Sequence, residues 1–287
     1  MPDPRLGRPR RPDRPPAGKP ALSRAHPDLV DLVGRLIAAG PKDRPPLIGI
    51  VGAQGSGKTT LARAAAERFG AAQISIDDVY LTRAEREALA RDVHPLLLTR
   101  GPPGTHDLGL LRRLIDDLSS AGPDDETLIP DFDKRGDDRW PVDRWRRFEG
   151  RPSAVLIDAW CLSARAEDES ALASPLNALE REQDLDGGWR RAVNGSLAGP
   201  YAEFAARFDA IVFLRAPDFG VVLDWRSQQE ADLLGVAPAD LPPVERERLA
   251  NFIQYFERIT RRMLAGGIAA DVVIQLDRNR VPTTITE

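Results

Sequence analysis

Five short runs of apolar residues punctuate the chain, at 47–51, 72–76, 154–157, 210–214 and 272–276. Each has the length and flanks of a strand buried on both sides of a parallel sheet. Between them, apolar positions recur every three or four residues over 58–69, 108–118, 219–234 and 244–263, the spacing of helices with one buried face. Gly70 follows the first of these as a stop signal. Alternation of strands and helices predicts an α/β fold with a central parallel five-stranded sheet flanked by helices. The stretch "DLVDLVGRLIAAG" at 28–40 predicts a further amphipathic helix, placed on the sheet's edge. Two connections, 77–152 and 159–208, exceed a plain crossover. Both leave the carboxyl ends of strands, where open α/β sheets bind ligands, and they are expected to be substrate-binding and lid insertions.

Composition narrows the picture modestly. The chain has 287 residues, 42% of them hydrophobic, and a formal net charge of -4, so no overall basic field draws it to nucleic acid. No apolar stretch approaches the roughly 20 residues that span a bilayer, and no membrane partner is expected. A single cysteine, Cys161, excludes an internal disulfide and fits a reducing, cytoplasmic compartment. The three histidines are too scattered along the chain to suggest a zinc site. Residues 1–20 hold seven prolines and five arginines without an apolar block and are expected to be a disordered tail, leaving 21–287 as one domain.

The first apolar run leads into Gly52-Ala53-Gln54-Gly55-Ser56-Gly57-Lys58-Thr59-Thr60, which fits the P-loop pattern G-x-x-x-x-G-K-[ST]. Glycines let successive backbone N–H groups curl around one anion, and the helix that follows adds its positive end. Lys58 then reaches the β- and γ-phosphates of a nucleotide, and the Thr59 hydroxyl can hold Mg²⁺. The absence of an N-K-x-D stretch after a later strand favours ATP over GTP. "AVLID" at 154–158 is an apolar strand ending in an acid, the Walker B arrangement, and marks Asp158 as a second metal-side candidate. "ISIDDVYLT" at 74–82 puts Asp77 and Asp78 where the second strand leaves the sheet. A carboxylate there can take the proton of an attacking hydroxyl, and Asp77, nearer the strand, is the stronger candidate. Asp78 has the alternative of capping a helix or turn, and Tyr80 lies beside both.

Two loops, "TRGPPGTHD" at 99–107 and "PDFDKRGDDRW" at 130–140, mix charges with glycine and proline without helical spacing. They supply Arg100, Thr105, His106, Asp107, Asp133, Lys134, Arg135 and Arg139, residue types suited to a small polar acceptor that carries an anion.

With these stretches, together with "LNALEREQDLDGGWRRAVN", "DWRSQQE" and "FIQYFERITRRML", the chain resembles the P-loop D-glycerate 3-kinases, relatives of uridine kinase, phosphoribulokinase and pantothenate kinase. The resemblance runs in order over roughly residues 45–276. It implies a P-loop kinase fold, ATP and Mg²⁺ as cofactors and glycerate as acceptor. It implies that Asp77 is the general base and Arg226 a lid arginine closing over the transferring phosphate. By the same resemblance Thr105, His106, Asp107, Asp133, Lys134 and Arg139 bind the acceptor; Asp78 and Tyr80, beside Asp77, are expected to be substrate-binding as well. One departure stands out: the Walker B strand of these kinases usually ends "EGW", and here it reads Asp158-Ala159-Trp160. Two other readings remain open at this stage, a kinase of another small acceptor such as a nucleoside or pantothenate-like acid, and a nucleotide-binding regulatory or RNA-binding protein that transfers nothing.

Overall fold

A strand with no polar position cannot sit at a sheet surface, and Leu47–Gly52 has all six residues buried. A computed structural model of the chain, which describes residues 25–287, places it in the middle of a sheet. Numbered in chain order, the sheet strands are β1 Leu47–Gly52, β2 Ala72–Ser75, β3 Val155–Ala159, β4 Ala210–Arg215, β5 Val272–Leu276 and β6 Pro282–Thr286. Their spatial order is β6-β5-β4-β1-β3-β2, with β1 to β5 mutually parallel and β6 antiparallel to β5. The five parallel strands are those expected. The sixth was not anticipated, because "PTTIT" is almost wholly exposed and carries β-branched residues in place of an apolar run.

Helices cover both faces. Lys58–Phe69 buries Leu61, Ala62 and Ala65 against β1 and β3 and stops at Gly70, whose φ of 66° is the left-handed conformation glycine adopts freely. Pro27–Ala39 buries Leu29, Val30, Leu32 and Val33, but not on the sheet's edge. It packs on the helix Lys58–Phe69, over one face of the sheet, with Gly34 so close to the Phe69 ring that a Cβ there would lie 2.4 Å from Cζ. Leu108–Ser120 sits on the opposite face with Leu111, Leu114, Ile115 and Leu118 buried.

The two long connections fold as insertions at the carboxyl edge. The first contains the helix Arg83–Asp92 and two small hairpins, Glu126–Ile129 with Arg146–Glu149 and Phe132–Asp133 with Asp138–Arg139. Asp137, at the turn of the second hairpin with φ 57°, pairs with Arg83, Arg100 and the fully buried Arg86, and this three-arginine hub pins the turn to the helix. The second insertion is anchored on the long helix Pro243–Leu264, where Arg258 pairs with Glu180 at 2.7 Å and Glu167 at 3.3 Å. Where the insertions meet, His94 lies 3.7 Å from the buried Asp184, with Asp186 close by. His94 Nδ1 accepts the Leu96 N–H, which leaves Nε2 as the donor toward Asp184, and Asp184 also receives Arg190. The cluster is therefore an ion-paired clasp. The proline- and arginine-rich stretch at 1–20 lies outside the described residues. No helix among the described residues is long and apolar enough to cross a membrane.

Candidate active site

The P-loop lies between the end of β1 and the helix Lys58–Phe69, and its glycines are dictated by contacts. A Cβ at Gly52 would approach Ser56 Oγ to 2.6 Å, and one at Gly55 would approach the Trp225 Cβ to 2.6 Å. Gly57, at φ 93°, has nothing within 4 Å of that position, so its open side is a cradle. No side chain caps this helix, which leaves its first N–H groups facing the loop. The loop is braced from outside by Arg280, whose Nε donates to Gly55 O at 2.6 Å and whose guanidinium stacks 5.2 Å over Trp225. Beside it opens a cavity of about 270 Å³ bordered by Ser56, Gly57, Thr60, Asn279 and Arg280. Neither Asn279 nor Arg280 carries a motif that could have flagged it in advance.

Asp158, at the end of β3, is wholly buried. Thr59 Oγ1 donates to its Oδ1 at 2.7 Å, Gln73 Nε2 to Oδ2 at 2.6 Å and Ser75 Oγ to Oδ1 at 3.2 Å. Ser75 stands opposite Asp158 in the β2–β3 register and Gln73 two residues earlier, so all three project to one face. Burial pushes the Asp158 carboxyl up from its ordinary value against the pull of Lys58, Thr59 and Gln73. Sequence reasoning missed Gln73 and Ser75; polar residues inside an otherwise apolar strand were the available signal.

On the other side of the P-loop, Lys58, Asp77, Tyr80, Arg100, Lys134 and Arg226 line a cleft of about 100 Å³. Trp160, Phe252 and Phe256, absent from the sequence-based set, close its wall. Asp77 Oδ1 accepts the Tyr80 hydroxyl at 2.7 Å, and Lys134 Nζ reaches Oδ2 at 3.3 Å. Burial pushes the Asp77 carboxyl up, but Lys134, Lys58 and Tyr80 together outweigh it and hold the group well below the usual carboxylate range. Burial lowers Lys58, partly offset by Asp77 and Asp158. Arg226 projects from the helix Gly220–Leu234, where its Nη1 donates to Gln229 at 2.6 Å.

The remaining sequence candidates divide by where their polar atoms go. Asp78 closes a capping box with Ser75 and pairs with Arg146 at 3.2 Å; burial first of all raises it to about 7. Thr105, fully buried, accepts Gly101 N–H and donates to Pro102 O, shaping its own loop. Asp107 caps the helix Leu108–Ser120 and pairs with Arg139 at 3.3 Å. Arg139 also donates to Tyr80 O, and Asp133 accepts Arg135 N–H within its turn. None of these lines the cleft. His106 Nδ1 lies 2.5 Å from the Tyr201 hydroxyl, which itself accepts Gly104 N–H. That chain makes Nδ1 the acceptor and leaves Nε2 carrying the proton, with no partner among the described residues. Burial lowers the ring to about 4, so it stays neutral near pH 7.

Comparison with known protein families finds no family model that matches. The chain is 28% identical over 278 residues to an uncharacterized kinase of Schizosaccharomyces pombe, mug58, covering 90% of this chain and 98% of that protein. Among solved structures it resembles a D-glycerate 3-kinase from Cryptococcus neoformans var. grubii, with TM-score 0.68 and 21% identity over 90% of this chain and 96% of that one. The YGR205w protein gives TM-score 0.65 and 21% identity, over 90% of this chain and 95% of that one. The likeness drawn from the motifs thus returns in three dimensions: the chain has the P-loop kinase fold.

Proposed function

We propose that this chain is an ATP-dependent kinase that transfers the γ-phosphoryl group to a hydroxyl of a small hydroxy acid, D-glycerate being the best candidate. The observation that carries the reading is the cleft in which Lys58 of the P-loop faces Asp77 across a small space rimmed by Arg100, Lys134 and Arg226. The cleft measures about 100 Å³, against about 270 Å³ for the cavity on the nucleotide side of the loop, which suits a small anion better than a second nucleoside. Its rings also meet edge to face, Trp160 with Phe256 at 87° and Phe252 with Phe256 at 64°, and form no parallel pair to sandwich a base. The likeness to the glycerate kinase fold supports the same acceptor.

In this reading ATP phosphates lie in the cradle at Gly57 and on the open N-terminus of the helix Lys58–Phe69. The donor set fits Mg²⁺: the Thr59 hydroxyl donates its hydrogen bond to Asp158, which leaves the hydroxyl lone pairs free for a cation. Both Asp158 oxygens are already engaged by Thr59, Ser75 and Gln73, so Asp158 serves the cation by orienting Thr59. Bound there, Mg²⁺ supplies charge neutralisation on the phosphate oxygens.

Lys134 and Arg100 offer positive charge to the carboxylate of the acceptor, and Asp77 takes the proton of its hydroxyl. Lys134, Lys58 and Tyr80 hold the free Asp77 carboxyl down, which weakens it for that task. Pairing of Lys134 with the acceptor carboxylate and of Lys58 with the phosphates relieves the two cations that hold it down. Base strength therefore rises as each substrate binds and is greatest when both are in place. Arg226 and Lys58 then balance the charge on the transferring group. A coupled ADP-release screen over small hydroxy acids and nucleosides tests the assignment. Turnover of D-glycerate well above every nucleoside supports it, and preference for a nucleoside overturns it.

A further inference from the structure

Gln54, at the crown of the P-loop, is the one loop residue whose side chain lines the acceptor cleft without carrying charge. Its neighbours Ser56, Gly57 and Thr60 border the cavity on the nucleotide side. Among the described residues, neither Gln54 Nε2 nor Oε1 has a hydrogen-bond partner, although both atoms are shielded from solvent. A primary amide left so, donor and acceptor together, is a costly arrangement that a tight phosphate turn does not require. The same cleft holds one more unpartnered donor, Arg226 Nε.

We propose that the Gln54 amide is a specificity element that reads a second hydroxyl of the acceptor, adjacent to the one phosphorylated. A hydroxyl both donates and accepts, and a primary amide presents the matching pair: Oε1 takes the hydroxyl proton while Nε2–H donates to its oxygen. A carboxylate or phosphoryl oxygen would satisfy only Nε2 and leave Oε1 facing an anion. Charged groups for those partners already stand around the cleft in Lys58, Arg100, Lys134 and Arg226. The site then favours vicinal dihydroxy acids over monohydroxy acids, because an acceptor lacking that hydroxyl leaves a buried amide unpaired. This inference rests on the proposed hydroxy-acid kinase reading.

The test compares D-glycerate with 3-hydroxypropanoate, which keeps the carboxylate and the primary hydroxyl and lacks the neighbouring one. Wild type should favour D-glycerate in kcat/KM by about 10²-fold or more. In Gln54→Met, similar in length but without the amide, that ratio should fall to within about tenfold, through a larger loss on D-glycerate than on 3-hydroxypropanoate. A wild-type ratio below about tenfold overturns the inference without any variant. So does a Gln54→Met protein that loses activity on both acids equally, which would place the amide on the phosphoryl group. If wild type turns over neither acid, the D-glycerate assignment itself falls. The same ratio is then measured on the hydroxylated acceptor that wild type does use and its analogue lacking the adjacent hydroxyl, and an unchanged ratio in Gln54→Met refutes the role of Gln54.

Discussion

Lengthening Asp158 by one methylene, Asp158→Glu, restores the acid usual at this position in the resembling kinases and separates two accounts of the shorter one. If Asp158 were a partial loss, Glu would preserve or raise activity. The geometry argues the other way. The carboxylate is wholly buried and sits 2.7 Å from Thr59, 2.6 Å from Gln73 and 3.2 Å from Ser75. A methylene advances it by about 1.5 Å, one carbon–carbon bond, more than contacts of that length can absorb. Overpacking a rigid interior costs about 1–3 kcal/mol, or roughly 2–5 °C of melting temperature in a chain of this size. Displacing Thr59 by even 1 Å should lower kcat by about tenfold to a hundredfold. Because Gln73 makes the shortest of these contacts, the destabilisation should shrink in a Gln73→Ala background, with a coupling of about 0.5–3 kcal/mol in the double-mutant cycle. Melting curves and steady-state kinetics on the four proteins measure this. An Asp158→Glu protein with unchanged melting temperature and equal or higher kcat would refute the reasoning.

Asp77→Asn should keep the bond from Tyr80 yet lower kcat by about 10²- to 10⁴-fold, while Asp78→Asn costs much less; the reverse order in steady-state assays would exchange their roles. Lys58→Ala should cut turnover by about 10²- to 10³-fold without lowering the melting temperature, since burial already disfavours its charge; turnover within about threefold of wild type would remove it from catalysis. Asp78 also makes stability depend on pH: its folded value is raised to about 7 from 3.8, so between those values the folded chain holds a proton that the unfolded chain has released. Stability from this group therefore declines as pH rises from about 4 to 7, and the melting temperature of Asp78→Asn relative to wild type should rise over that window; a difference constant with pH would refute the assignment.

The parallel strands were legible because burial on both faces leaves mostly apolar residues in them, bounded by turn signals, and such runs survive any choice of register. The helices 219–234 and 244–263 fell within one residue at each end of those observed. What could not be read is whatever depends on which neighbour covers a surface. The helix Pro27–Ala39 has one apolar stripe whether it lies on an edge or on another helix, and only the approach of Gly34 to Phe69 decides it. Strand β6 gains its hydrogen bonds from β5 and buries almost nothing, so the pattern that betrayed the others is missing.

The loops at 99–107 and 130–140 show why a motif marks a place more surely than a role. Thr105, Asp107 and Asp133 share their stretches with His106 and Lys134, and in sequence all five look equally fit to touch a ligand. Loops rich in glycine and proline leave backbone N–H and carbonyl groups without ladder partners, and short side chains satisfy them first. Thr105, Asp107 and Asp133 are short, and each spends its oxygen on a backbone group within three residues. Lys134 is long enough to leave its own turn, and the Asp137 hub aims that turn so that its ammonium reaches Asp77. Side-chain reach thus sorts the loop residues into those that build it and those that face inward. Arg139 fits the same rule from the other side: its guanidinium crosses to Tyr80 O and Asp107, fixing the backbone from which Tyr80 meets Asp77. Within such a loop, the residues that hold it are as necessary to the cleft as those that line it.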